Sequence, residues 1–259
     1  MHKTRMLAVI AAIAATVPTA SSAQWLNVRA AGVPRLPDGK VNLTAPAPRG
    51  PDGHVDLSGT WMHSNPDKYL VNLAADLKPG EVPFQPWAES LYKERLENHS
   101  KDDPLARCLP HGVPRINAVP APLKVFQTPG TTIFLYEANT LYRQIFTDGR
   151  ALPVDPNPTW LGYSIGAWDG DTFVVRTAGF NGKAWLDISG HPASEDLHVI
   201  ERFQRRDFGH LDLEITIDDS KAYTRPWSVR QSLVLEPDTE IIEYICNENN
   251  LDPPHMVGK

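Results

Sequence analysis

Tyr163-Ser164-Ile165-Gly166-Ala167-Trp168-Asp169-Gly170-Asp171-Thr172-Phe173-Val174-Val175-Arg176-Thr177 reads as a β-hairpin. Two runs rich in aromatic and β-branched residues flank Asp169-Gly170, and an Asp-Gly pair suits the tight primed turn that matches strand twist. The same pattern recurs on both sides. Strands are expected over 124–127, 131–137 and 140–147, joined by Pro129-Gly130 and Ala138-Asn139. Further pairs are expected over 197–205 and 211–217 around Asp207-Phe208-Gly209, and over 227–235 and 240–246 around Pro237-Asp238. Such a succession with short links predicts a mostly β, antiparallel, barrel-like domain, with a sandwich as the other way of closing it. Leu211, Leu213, Ile215 and Ile217 alternate with His210, Asp212, Glu214 and Thr216, the mark of a strand with one polar face. That face meets either water or an internal cavity.

Ahead of this body the pattern changes twice. Residues 24–55 are rich in Pro and Gly without periodicity and read as an extended arm. The arm holds an internal echo, Pro37-Asp38-Gly39-Lys40-Val41-Asn42-Leu43 against Pro51-Asp52-Gly53-His54-Val55-Asp56-Leu57. Gly59-Thr60-Trp61 then opens the first strand of a single domain over 56–259. A helical insert is expected at about 67–107, where Trp87, Leu91 and Leu96 fall near helical spacing after Pro86. Pro110, Pro114, Pro120 and Pro122 force an irregular path beyond it.

The whole chain limits its partners. With 259 residues and a net charge of -6 it can bury a sizeable core but lacks the basic face that nucleic acid needs. Residues 1–23 read as an export signal: His2, Lys3 and Arg5 precede an apolar run from Met6 to Val17, and Ser21-Ser22-Ala23 offers a cleavage site. That run is too short to span a bilayer, so a periplasmic or secreted protein without a membrane span is expected. In such a compartment Cys108 and Cys246 are expected as a disulfide, with two separate buried thiols as the alternative. No P-loop, GxGxxG, GxSxG or HExxH is present.

Chemistry concentrates in 179–206, which places Asn181, Trp185, Asp187, His191, Ser194, Glu195, His198, Glu201 and Arg202 within one loop and one strand. Val199-Ile200 favours a strand from Leu197 onward. On that reading His198 and Arg202 point into a cavity at one rim, with Glu201 on the opposite face. Three chemistries suit these groups. His191 or His198 can act as general acid or base, oriented by Asp187 or Glu195, with Glu201 a further carboxylate for such work. His191, His198 and a carboxylate can hold a divalent metal with one open position, although His-x6-His is no recognised ligand spacing. Or nothing is catalysed, and Arg202, Asn181 and aromatics hold a small polar ligand. Trp160, Tyr163 and Trp185 can stack on a sugar or aromatic ring. Arg143, in an otherwise apolar strand, needs a carboxylate partner if buried, from Glu137, Glu201 or Glu214. The expectation is an exported small-molecule enzyme of lyase, isomerase or hydrolase type with no required cofactor, against a lipocalin-type carrier without catalysis. Oligomeric state is not readable from these features.

The runs P-D-G-H-V-D-L-S-G-T-W from Pro51, K-D-D-P-L-A-R-C-L-P from Lys101, Y-R-Q-I-F-T-D-G-R from Tyr142, D-P-N-P-T-W-L-G-Y-S-I-G-A-W-D-G-D-T-F-V-V from Asp155, H-P-A-S-E-D-L-H-V-I-E-R-F from His191 and E-Y-I-C-N-E-N from Glu243 together resemble a family of exported bacterial proteins of unknown function. The resemblance implies an exported, signal-bearing, β-rich protein and supplies no activity. A looser resemblance, resting on Gly59-Thr60-Trp61 and the strand count, is to calycin and lipocalin barrels, in which the Trp plugs one barrel end.

Overall fold

Nine strands close into one barrel in the computed structural model, which describes residues 29–248, 250 and 251. They are β1 (Gly59–His63), β2 (Leu123–Thr128), β3 (Thr131–Tyr136), β4 (Leu141–Phe146), β5 (Tyr163–Asp169), β6 (Thr172–Ala178), β7 (His198–Arg205), β8 (His210–Asp218) and β9 (Trp227–Leu235). The expected export signal and the start of the arm lie outside the described residues. Each strand pairs with its neighbours in chain order, and β9 returns to β1 through Trp61↔Leu235 and His63↔Leu233. The Asp169-Gly170 hairpin is present as expected, with Asp169↔Thr172 as its last pair.

Two details depart from the expected antiparallel succession. The β4–β5 pair is parallel, through Ile145↔Ser164 and Phe146↔Ile165, because the connection 147–162 carries the chain back along the barrel before β5 begins. The strand expected over 240–246 does not form. Once β9 pairs with both β8 and β1, no free edge remains beside it for another strand. Instead the tail runs along the outside, its Ile242 N–H donating to Glu137 Oε2 at 2.9 Å. Cys246 is bonded to Cys108, with Cα atoms 5.5 Å apart, which ties the tail to the insert. This joins residues 138 apart, so Cys246→Ser is expected to lower unfolding free energy by about 2–5 kcal/mol on the chain-entropy account. A denaturant titration reads that as a lower midpoint.

The inward faces are largely apolar. Trp61, Phe134, Phe173 and Phe203 meet Val125, Val175, Leu213 and Ile215 in the interior, every one of them at most 2% exposed. The alternating residues of β8 settle accordingly, with Leu211 to Ile217 inward and His210 to Thr216 on the partly exposed outer face. Trp61 closes the end nearest the arm: its Nε1 donates to Leu57 O at 2.9 Å, and the Arg205 guanidinium lies 4.9 Å over its ring. Gly59 is required there, since its φ is +139° and an added Cβ would meet Leu235 Cδ1 at 2.6 Å.

The arm binds this end through its echo. Arg35 Nη1 donates to Gly39 O and Arg49 Nη1 to Gly53 O, so each copy folds into the same turn. Arg35 then pairs with Asp238, and Arg49 with Asp171, which fixes the arm to the barrel at two points.

The opposite end is covered by the insert. It contains α1 (Pro66–Val71), α2 (Pro86–Glu97) and a 3-10 turn at Pro104–Arg107. A further 3-10 turn at Arg115–Ala118, within the path expected to be irregular, is fully buried. The buried face of α2 is not the expected one. Trp87 is 48% exposed and Leu96 44%, whereas Ala88 is buried, and Tyr92 and Arg95 follow it at four- and seven-residue spacing on the body side.

Candidate functional site

Two polar clusters use the residues singled out above, and they differ in kind. The first lies inside the barrel. The inward face of β7 carries Val199, Glu201, Phe203 and Arg205, so Glu201 points in while His198 and Arg202 point out, the reverse of the expected orientation. The two apolar neighbours Val199 and Phe203 decide this, because inward placement buries them and Arg143 supplies the countercharge Glu201 needs. Arg143 Nη2 donates to Glu201 Oε2 at 2.5 Å and to Thr177 Oγ1 at 2.6 Å, and Nε donates to Ser164 Oγ at 2.9 Å. Asn117 Nδ2 donates to Glu201 Oε1 at 2.6 Å and its Oδ1 accepts from Tyr136 OH at 3.1 Å, so the buried 3-10 turn is anchored into the barrel. Of the three carboxylates considered as partner for Arg143, Glu201 is the one bonded. Burial opposes the Arg143 charge, but Glu201 more than offsets it and raises the guanidinium's pKa. Both side chains are at most 1% exposed. They hold the barrel together and are out of reach of a solute.

The second cluster sits on the loop 179–197, which leaves β6 and folds over the insert end before β7 begins. Asp187 is fully buried. Its Oδ1 accepts the N–H groups of Gly190 at 2.9 Å and His191 at 3.1 Å, and its Oδ2 accepts the Leu73 N–H at 2.7 Å. His191 Nδ1 also meets Oδ2, at 2.5 Å. The loop therefore wraps around one carboxylate, which fixes the imidazole by its Nδ1. Gly190 has φ +93°, and a Cβ there would press on Arg95 Cδ at 2.7 Å. Arg95 uses that closeness to donate from Nη1 to Gly190 O at 2.9 Å, with its guanidinium 4.0 Å over the Trp185 ring. Burial lowers the Arg95 pKa to about 10.

The His191 ring lies against Tyr92 (centroids 4.4 Å apart), Phe84 (5.4 Å) and Trp227 (5.9 Å). Among the described residues no hydrogen-bond partner faces Nε2, and the ring lines a cleft of about 760 Å³ between α2 and the segment 72–84. Burial raises the Tyr92 hydroxyl pKa, and the Asp187 charge adds to it. The His191 side chain is 2% exposed. Its ring is held at Nδ1 by a carboxylate and sits, without a hydrogen bond at Nε2, buried in the cleft wall.

The remaining candidates are scattered. His198 is exposed on the outer face of β7, in a groove with 152–158, and does not approach the His191 cleft. Glu195 is exposed and paired with Lys221 at 3.3 Å. Arg202 pairs with Asp169 at 2.8 Å on the outer barrel surface. Asn181 Oδ1 accepts the Lys183 N–H, a local turn contact. The three aromatics make no common platform: Arg95 covers Trp185, Tyr163 stacks on Phe146 with its hydroxyl bonded by Arg150, and Trp160 is half-buried beside Phe180 and Ala184. His191 and His198 form no shared metal site, and among the described residues no group of three or more His, Cys, Asp or Glu is placed to hold a metal ion. Phe84, Tyr92 and Trp227 were not singled out beforehand. For Tyr92 the spacing Ala88, Tyr92, Arg95 is the signal that marks the inner face of α2.

Two other histidines are structural. His63 Nδ1 accepts the Asn65 N–H at 3.0 Å while Nε2 meets Gln231 Oε1 at 3.1 Å, and burial lowers its pKa. Burial first, and the Arg115 charge second, lower His111 to about 3. The unfolded chain takes up these protons near the ordinary histidine value, before the native state can. Stability is therefore full above about pH 6.5 and falls as the pH drops toward the folded-state values. Between about pH 7 and pH 5 the His111 contribution is about 2 kcal/mol. His111→Gln is expected to flatten this part of the curve of denaturation midpoint against pH.

Comparison with protein-family models, with curated proteins and with solved structures finds no match to this chain.

Proposed function

We propose that the chain is an exported enzyme that performs acid–base chemistry on a small molecule held in the cleft between α2 and the segment 72–84, with His191 as the proton-transferring group. The observation that carries this reading is the pinning of His191 Nδ1 by the buried Asp187, which leaves Nε2 without a hydrogen-bond partner in a residue that lines the cleft. Asp187 stabilises the imidazolium formed when Nε2 takes a proton and returns the ring to the same orientation when the proton leaves. Phe84 and Tyr92 close around the ring and exclude water from it. Such a site serves eliminations, isomerisations and hydrolyses alike, since each needs one proton taken and one delivered.

A carrier that holds its ligand inside the barrel, as lipocalins do, is the competing idea. It is disfavoured by the barrel interior, where Trp61, Phe134, Phe173 and Phe203 occupy the space a ligand would take. Export is supported by the disulfide, a bond that persists in oxidising compartments.

The test is a screen of small metabolites for mass changes with the purified protein, repeated with His191→Gln. Conversion is expected to fall by about 10²–10⁴-fold in the variant. Near-ultraviolet circular dichroism on the same sample separates loss of the base from loss of the fold. Unchanged conversion by a folded His191→Gln protein overturns the assignment.

A further inference from the structure

We infer that the His191 cleft takes small uncharged molecules with an apolar ring or branched chain. This rests on the reading of the cleft as the reaction site and adds the substrate class. Five apolar or aromatic side chains line the cleft from two sides. Leu77, Val82 and Phe84 come from the segment 72–84, and Tyr92 and Leu96 come from α2. None of the five is fully buried, and Leu96 is 44% exposed. Apolar surface is thus left open in a concave place, where a ligand can cover it from several directions at once. The volume of about 760 Å³ falls within the span of small-molecule sites, about 300–1,000 Å³.

The rim carries both signs of charge in equal number. On α2, Lys93 pairs with Glu89 at 2.6 Å. On the other side Glu81 stands beside Lys78, its Oε2 accepting the Lys78 backbone N–H at 2.8 Å. Two ammonium groups and two carboxylates therefore frame the opening, and their charges sum to zero. Further in, Asn72 Oδ1 is taken by the Ala74 N–H at 2.9 Å, and His191 Nδ1 is taken by Asp187. An ion entering here gives up hydration against apolar walls and finds no net countercharge in return. An uncharged apolar molecule gains by leaving water for the same walls.

The test uses three fluorescent probes of one shape and different charge: 2-naphthylmethanol, 2-naphthoate and 2-naphthylmethylammonium. The intact protein is expected to bind the alcohol about tenfold more tightly than either ion. Leu96→Gln makes one wall polar at an exposed helix position and is expected to leave the near-ultraviolet circular dichroism unchanged. It is expected to weaken the alcohol by about threefold to tenfold. An affinity for either ion that equals or exceeds that for the alcohol overturns the inference, as does an alcohol affinity that Leu96→Gln leaves unchanged. A concentration-dependent dimer in sedimentation that Leu96→Gln abolishes also overturns it, since a second copy then covers the cleft. The two readings fail separately. A preference for an ion, with conversion still lost in His191→Gln, refutes the substrate class alone. A folded His191→Gln protein that keeps both alcohol binding and full conversion refutes the acid–base role and leaves the apolar cleft standing.

Discussion

Glu201→Ala is expected to lower unfolding free energy by about 3–5 kcal/mol, because it leaves the Arg143 guanidinium buried without a countercharge. The Arg143 side chain is 1% exposed, so neither water nor a surface carboxylate can take Glu201's place. The loss reaches further than one pair. Asn117 Nδ2 loses its acceptor, and with it the contact that roots the Arg115–Ala118 turn in the barrel. Arg143→Met with Glu201→Leu removes both charges at once and is expected to recover most of the stability, since a well-packed apolar pair avoids the desolvation cost. A double-mutant cycle by denaturant unfolding measures this directly. If Glu201→Ala costs under about 1 kcal/mol, Glu201 is not buried against Arg143.

Asp187→Asn is expected to act on both fold and chemistry. The carboxylate accepts three backbone N–H groups and the His191 ring, and an amide presents a donor where one oxygen stood. At least one of those N–H groups then loses its acceptor, at a cost of about 1–3 kcal/mol. The imidazole also loses the partner that fixes which nitrogen carries the proton, so conversion is expected to fall by about 10²–10⁴-fold. The activity effect persists well below the melting transition, where the variant is folded. A variant that melts earlier but converts substrate normally when cold would mean that Asp187 only braces the loop.

The strand pattern was readable because hairpin signals are local. Asp169-Gly170, Asp207-Phe208-Gly209 and Pro129-Gly130 each specify a turn within a few residues, and the flanking strands followed. The parallel β4–β5 joint was not readable, since it depends on where a Pro-rich connection carries the chain. Neither was the failure of 240–246 to pair, which follows from closure of the ring elsewhere. The orientation of β7 is the reverse of the expected one, because both faces mix apolar and charged residues and the burial of Val199 and Phe203, with Arg143 across the barrel as countercharge, turns Glu201 inward. The Asp187-x-x-x-His191 pair was visible as a local spacing. Its setting came from Phe84, Tyr92 and Arg95 on the insert, about a hundred residues upstream, where one sequence alone carries no contact information.

The most direct measurement is a nitrogen-detected NMR spectrum of the His191 ring, alone and with a compound that the purified protein converts. The neutral imidazole is expected to carry its proton on Nδ1, toward Asp187, and the Nε2 signal is expected to move when the cleft fills. A proton found on Nε2 instead, or an Nε2 signal unchanged at saturation, would contradict the assignment of His191 as the group that exchanges protons with a bound molecule.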